Sequence, residues 1–164
     1  MARRTPDEKR TLYLAAPFCR IGLVAEGPAL TALFFLSGKT PAETEASPLL
    51  RRAARQMEEY FAGRRQRFDL PLNPAGTNFQ RRVWAALQEI PFGQTASYGQ
   101  VAEMAGSPGA ARAVGQACGR NPLAILIPCH RVVGHNGSLT GFGSGLGLKT
   151  RLLRLENALP QALG

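Results

Sequence analysis

Acidic side chains are scarce. The 164-residue chain carries 11 Asp and Glu against 20 Lys and Arg, a formal charge of +9. Such a surplus favours polyanions, nucleic acid or an anionic membrane, over cationic partners, although it also fits a merely basic surface. Lysine is nearly missing too, occurring only at Lys9, Lys39 and Lys149, so the charge is mostly arginine. Cysteine is limited to Cys19, Cys118 and Cys129. An odd number with no close pair suggests neither a disulfide framework nor a zinc site, and it fits a reducing compartment. No stretch of about 18 apolar residues occurs, so no membrane span is expected. The segment Met1–Arg10 is charged and lacks the apolar core of a secretion signal. A soluble cytoplasmic protein is expected. Hydrophobic residues make up 45%, enough for a real core in one domain or two small ones.

The first third reads as strands at Thr11–Ala16, Arg20–Ala25 and Ala29–Leu36, with Gly27-Pro28 between the last two. After a polar loop at Gly38–Ala46, Ser47-Pro48 opens a helix marked by Leu50, Ala53, Met57 and Tyr60 or Phe61, ended by Gly63. Arg67–Leu70 reads as one more strand, and Asp69–Gly76 as a linker. The expected boundary therefore separates residues 1–75 from 76–164.

The second half changes character. Thr77-x-x-Gln80 is a capping box for a helix with Phe79, Val83, Leu87 and Ile90 on one face, closed by Pro91. Ser97-x-x-Gln100 opens a short helix that Gly106 ends, and Ser107-Pro108 is expected to cap the next, which runs to about Gly119. Two short helices around a glycine turn form a helix-turn-helix or an ordinary helical corner. The second helix is lined by small residues (Ala110, Ala111, Ala113, Val114, Gly115, Ala117, Cys118), with Arg112 the one long side chain. Such a surface approaches another helix or a DNA groove closely, and a planar guanidinium stacks like a base. A last helix near Leu148 places Leu148, Leu152, Leu155 and Leu159 on one side, with Glu156 at the edge of that face.

Between these helices lie an apolar run, Leu123–Ile127, then Pro128-Cys129-His130-Arg131-Val132, then a glycine-rich segment, Gly134–Gly147, too long to be inert. A free cysteine is often only a small buried hydrophobe. As a nucleophile, Cys129 needs its thiol pKa lowered. His130 is placed to take the thiol proton directly or through a water, and Glu156 to orient His130. The alternative for Glu156 is a surface carboxylate on a helix flank.

The stretch Asn121–Val133, with its Ile127-Pro128-Cys129-His130-Arg131-Val132 core, resembles the active-site segment of O6-alkylguanine-DNA alkyltransferases (methylated-DNA–protein-cysteine methyltransferases). The resemblance runs from about Thr77 to Glu156 and includes Ser97-Tyr98, Ala111-Arg112-Ala113-Val114-Gly115 and Lys149. It implies an α+β fold: a small strand-rich, ribonuclease H-like α/β domain, then a mostly helical, winged-helix-like domain with a helix-turn-helix. It implies direct reversal of DNA damage, in which Cys129 takes the alkyl group irreversibly from a flipped O6-alkylguanine and each molecule acts once. In the resemblance, His130 activates Cys129 through a water and Glu156 orients His130. Asn121 braces the turn before the cysteine, and Tyr98 contacts the guanine. Arg112 fills the gap left by the flipped nucleotide, on a DNA-binding surface with Ser97, Ala111 and Gly115. The Val132 carbonyl accepts from the guanine amino group, beside a pocket lip of Phe142, Gly143 and Ser144. The implied partner is double-stranded DNA, held in the minor groove by a monomer without membrane association, in the cytoplasm or, in a bacterium, the nucleoid.

Phe142 departs from relatives that carry tyrosine there, which removes a hydroxyl from the pocket lip. The Cys/His pattern of some relatives' zinc site is not evident, so no metal is expected. No cofactor is expected either, because the lesion carries the transferred group. Competing readings are a cysteine hydrolase using Cys129 and His130, a lesion-binding protein without transfer, and a plain helix-turn-helix regulator.

Overall fold

A computed structural model of the chain describes residues 8–143 and 145–159. The fold is α+β, and the chain divides after Ala75 into two compact units. In the first, β1 (Lys9–Ala16), β2 (Cys19–Glu26) and β3 (Ala29–Leu36) form an antiparallel sheet in that order. Gly27 makes the second hairpin turn at φ +61°, a left-handed conformation that costs glycine little. In the central strand Ile21, Leu23, Val24 and Ala25 are buried, and Leu23 sits opposite both Leu12 and Leu33. Helix α1 (Pro48–Phe61) packs on β1 and β2 through Leu50, Ala53, Met57 and Tyr60. It starts where the sequence predicts: the Ser47 hydroxyl accepts from the Leu50 N–H at 3.2 Å, and Pro48 follows. Such a cap contributes about 1 kcal/mol.

The strand expected at Arg67–Leu70 does not form. The Gln56 side chain accepts from the Asp69 N–H at 2.9 Å and donates to the Asp69 carbonyl at 3.1 Å. One side-chain amide thus takes both backbone groups that a strand ladder would use. Two residues beyond that stretch, Leu72 makes an isolated bridge to Leu30.

The second unit holds α2 (Asn78–Gln88), β4 (Ala96–Ser97), α3 (Tyr98–Met104), α4 (Ala111–Gly119), a 3-10 turn at Cys129–Arg131, β5 (Val132–Val133) and α5 (Leu146–Leu155). Both expected capping boxes are present, Thr77 with Gln80 and Ser97 with Gln100. Helices α2, α3 and α4 pack together, and the buried Trp84 indole donates to the Ala117 carbonyl at 2.9 Å. Short β4 runs parallel to β5, tying the start of α3 to the residues after the cysteine.

Two expectations need correction here. Ser107-Pro108 does not cap α4. Gly109 takes φ +84°, which interrupts helical geometry, and the helix begins at Ala111 without a side-chain cap. The buried face of α5 is not the leucine row: Lys149, Leu152 and Leu153 are buried, with Glu156 just past the helix end, while Leu148 and Leu155 are half-buried. Among the described residues no helix is long and apolar enough to cross a membrane.

Candidate active site

The turn that carries Cys129 is held by one side chain. Asn121 Nδ2 donates to the Ile127 carbonyl at 2.8 Å, and its Oδ1 accepts from the Leu123 N–H at 2.9 Å. Between those bonds Ile125 sits at φ +69°, which is strained for a β-branched residue. Its burial and the two Asn121 bonds oppose the strain. The 3-10 turn then delivers Cys129 to the wall of a cavity of about 470 Å³, within the usual size of ligand pockets.

Cys129, Asn121, Tyr98, Gly115, Phe142 and Gly143, all singled out from sequence, line this cavity together. So do Cys118, named from sequence only among the small residues of its helix, and Gly119, Ala124, Thr140 and Gly141, which sequence gives no place in a site. Tyr98 donates its hydroxyl to the Thr140 carbonyl at 3.1 Å, fastening the start of α3 to the glycine-rich loop. Val132 is buried outside the lining, and its carbonyl accepts from Lys149 Nζ at 2.5 Å. Arg112 is exposed near the start of α4. Ala111 and Ser97 are half-buried, and none of the three lines the cavity. Ser144 lies outside the described residues.

A buried polar chain backs the cysteine. His130 and Glu156 are fully and almost fully inaccessible, and His130 Nε2 lies 2.7 Å from Glu156 Oε2. Glu156 also takes Arg131: Nε lies 2.7 Å from Oε1, and Nη2 lies 3.1 Å from Oε2. Arg131 Nη1 donates to the Ile90 carbonyl at 2.7 Å, completing the chain to the end of α2. Burial alone would raise the Glu156 pKa, but the His130 hydrogen bond and the Arg131 hydrogen bonds and charge outweigh it and hold the carboxyl at about 2. Burial lowers the His130 pKa against the pull of Glu156, so the ring is neutral. A neutral ring facing an ionised carboxylate donates through Nε2, which leaves Nδ1 with its lone pair. Nδ1 is buried and has no hydrogen-bond partner among the described residues.

The resting thiol differs from the activated one expected from sequence. Burial raises the Cys129 pKa, while the Asn121 hydrogen bond and the Lys149 charge pull it down without prevailing. Lys149 is held there by Val132 and by the Thr140 carbonyl at 2.8 Å. Cys118 is pushed up to about 12, chiefly by burial. Sequence reasoning assigned no role to Arg131 or Lys149. A signal existed in each case: an arginine within the cysteine motif, and the lone lysine of the second unit beside an apolar helix face. Among the described residues no group of three or more His, Cys, Asp and Glu is arranged to hold a metal.

A protonated thiol on a cavity wall, with a neutral histidine and an ionised carboxylate behind it and a helix pair beside it, is an arrangement able to serve a single cysteine nucleophile. Comparison with known proteins is more specific. Residues 78–158 match the DNA binding domain of 6-O-methylguanine DNA methyltransferase, and residues 9–74 match its ribonuclease-like domain. The chain is 47% identical over 148 residues to a methylated-DNA–protein-cysteine methyltransferase of Methanosarcina acetivorans, covering 87% of this chain and 95% of that one. It superposes on the crystal structure of Mycobacterium tuberculosis O6-methylguanine methyltransferase with a TM-score of 0.82 at 42% identity, covering 94% and 96% of the two chains. Mycobacterium tuberculosis OGT in complex with DNA is similar at a TM-score of 0.80 and 45% identity, covering 92% of each chain. The chain belongs to the 6-O-methylguanine DNA methyltransferase family.

Proposed function

We propose that this chain repairs duplex DNA by moving an alkyl group from O6 of guanine to Cys129 Sγ, once per molecule. The observation that carries the reading is Cys129 on the wall of a ligand-sized cavity, backed by the His130–Glu156 pair. The alkyl carbon on O6 is hidden in the base stack, so the nucleotide rotates out, at a cost of a few kcal/mol. Arg112, exposed on α4, enters the vacated place, while Ser97, Ala111 and Gly115 face the minor groove. The small side chains of α4 suit that narrow groove.

Within the cavity the thiol gives its proton to His130 Nδ1, directly or through a water. Glu156 stabilises the resulting imidazolium, and Arg131 keeps Glu156 ionised and in place. The sulfur attacks the alkyl carbon, a C–S bond forms, the C–O6 bond breaks and its electron pair leaves with guanine. Tyr98 turns its hydroxyl from the Thr140 carbonyl to the departing base, and the backbone N–H groups of Phe142 and Gly143 offset the charge developing on O6. The Val132 carbonyl keeps a second lone pair for the guanine amino group beside its bond to Lys149. The product is a thioether, a bond that acid–base groups such as His130 and Glu156 do not cleave. Neither metal nor cofactor enters, and the protein acts as a monomer in the cytoplasm or, in a bacterium, on the nucleoid. A duplex with one O6-methylguanine tests this. Lesion loss should stop at one per protein molecule and be absent with Cys129→Ser. Loss that continues past one equivalent would contradict the single-turnover account.

A further inference from the structure

The first unit carries a second basic surface that this chemistry leaves unused. Residues 51–67 hold six arginines against two acids, Glu58 and Glu59. Arg65 pairs with Glu59 at 3.2 Å, and Arg52 with Asp69 at 3.2 Å. Arg51, Arg55, Arg64 and Arg67 are exposed, and no carboxylate lies within 4.0 Å of them among the described residues. Arg51 and Arg55 stand one turn apart on the solvent face of α1, opposite Leu50, Ala53 and Met57. Arg51 also closes the first turn of α1, where the helix dipole disfavours cations, and that turn holds no acid to compensate. This placement does not serve the helix itself. A bound anion would relieve it.

We infer that the outer face of α1 and the turn after it form a second contact surface for DNA phosphates, carried by Arg51, Arg55, Arg64 and Arg67. Guanidinium forks suit phosphate oxygens. A membrane surface fits poorly: helices that lie in a lipid interface present an apolar face outward, whereas the apolar face of α1 is buried on the sheet and its exposed positions after Pro48, namely 51, 52, 55 and 58, are all charged. The inference rests on the reading that the chain acts on duplex DNA. It adds sequence-independent affinity from a part of the chain remote in sequence from the helix pair.

The test is binding of undamaged duplex by the full chain across a salt series. Each lost phosphate contact lowers the slope of log K against log salt by about 0.9. The variant Arg51→Gln/Arg55→Gln/Arg64→Gln/Arg67→Gln should lose about 2 or more from that slope and bind at least tenfold more weakly at low salt. It should still take the alkyl group from free O6-alkylguanine at the parent rate, which separates this inference from the repair chemistry. A parent slope and affinity in the variant would overturn the proposal. So would an equal drop in two charge-matched double variants, Lys9→Gln/Arg10→Gln and Arg51→Gln/Arg55→Gln, since bulk charge would then explain both. Loss of binding to phosphatidylserine vesicles with duplex binding unchanged would overturn it in favour of a membrane.

Discussion

Glu156 meets His130 at 2.7 Å inside the protein, and the same carboxylate carries the Arg131 guanidinium on its other edge. One buried anion therefore answers two partners: it fixes which histidine nitrogen is free, and it neutralises an arginine that would otherwise be buried unpaired. Glu156→Gln should abolish most transfer and destabilise the fold by about 3–5 kcal/mol, the usual cost of breaking a buried pair from one side. Urea unfolding measures the second effect. A stable, active variant would remove Glu156 from both roles.

The same carboxylate sets an acid limit. It ionises at about 2 in the folded protein against an ordinary 4.5. The folded pKa is the depressed one, so its stabilisation is complete above about pH 4.5 and is lost as pH falls from there toward 2. Unfolding midpoints followed from pH 6 to 2 should drop most in that window, and Glu156→Gln should flatten the drop. Equal acid sensitivity in both proteins would place the effect on other groups.

The thiol sets an alkaline trend. Because burial holds the Cys129 pKa above its ordinary 9.0, labelling of the Cys129 peptide by iodoacetamide should keep rising with pH beyond that value. Lys149→Met removes the nearby cation and two hydrogen bonds, so labelling at a given pH should slow. A labelling rate already level at neutral pH would mean a standing thiolate and contradict the proton transfer to His130.

Gly115 separates folding from function. A methyl group there would sit 3.7 Å from the Tyr98 ring, an ordinary contact, yet it would project into the wall of the cavity. Gly115→Ala should therefore keep or raise the melting temperature, since alanine gains up to about 1 kcal/mol over glycine in a helix. Repair of duplex should slow. A parent rate with the higher melting temperature would mean that this wall is not crowded by substrate.

Asn121→Ala should weaken the turn before the cysteine. It leaves the Leu123 N–H and the Ile127 carbonyl without their partner, at about 1–3 kcal/mol for each such group that is buried. The strained Ile125 loses its brace as well. Chemical denaturation should show the loss, and transfer should slow by more than the stability change alone accounts for.

Where local signals were self-contained, the sequence was easily read. Ser47, Thr77 and Ser97 mark helix starts because the cap hydroxyl and the backbone N–H that donates to it lie within three residues. The cysteine motif and its histidine are contiguous for the same reason. Misreadings arose where a distant group intervened. Gln56, thirteen residues away, takes the backbone of Asp69 and removes the strand expected there. The α5 face was assigned by leucine, yet Lys149 and Glu156 turn inward because Val132, Thr140, His130 and Arg131 supply their partners. Hydrophobic periodicity carries no mark for a buried charge that is paired. Thr140 joined the cavity by packing alone, a long-range outcome that spacing does not encode, whereas Cys118 follows Gly115 by three residues on α4.

The most direct measurement is peptide mass mapping of the protein after incubation with duplex carrying O6-methylguanine. The account predicts one added methyl group, found on the peptide containing Cys129 and on neither the Cys118 nor the Cys19 peptide, with unmodified guanine restored in the DNA. An unmodified Cys129 with the lesion repaired, or a methyl group on another side chain, would contradict it.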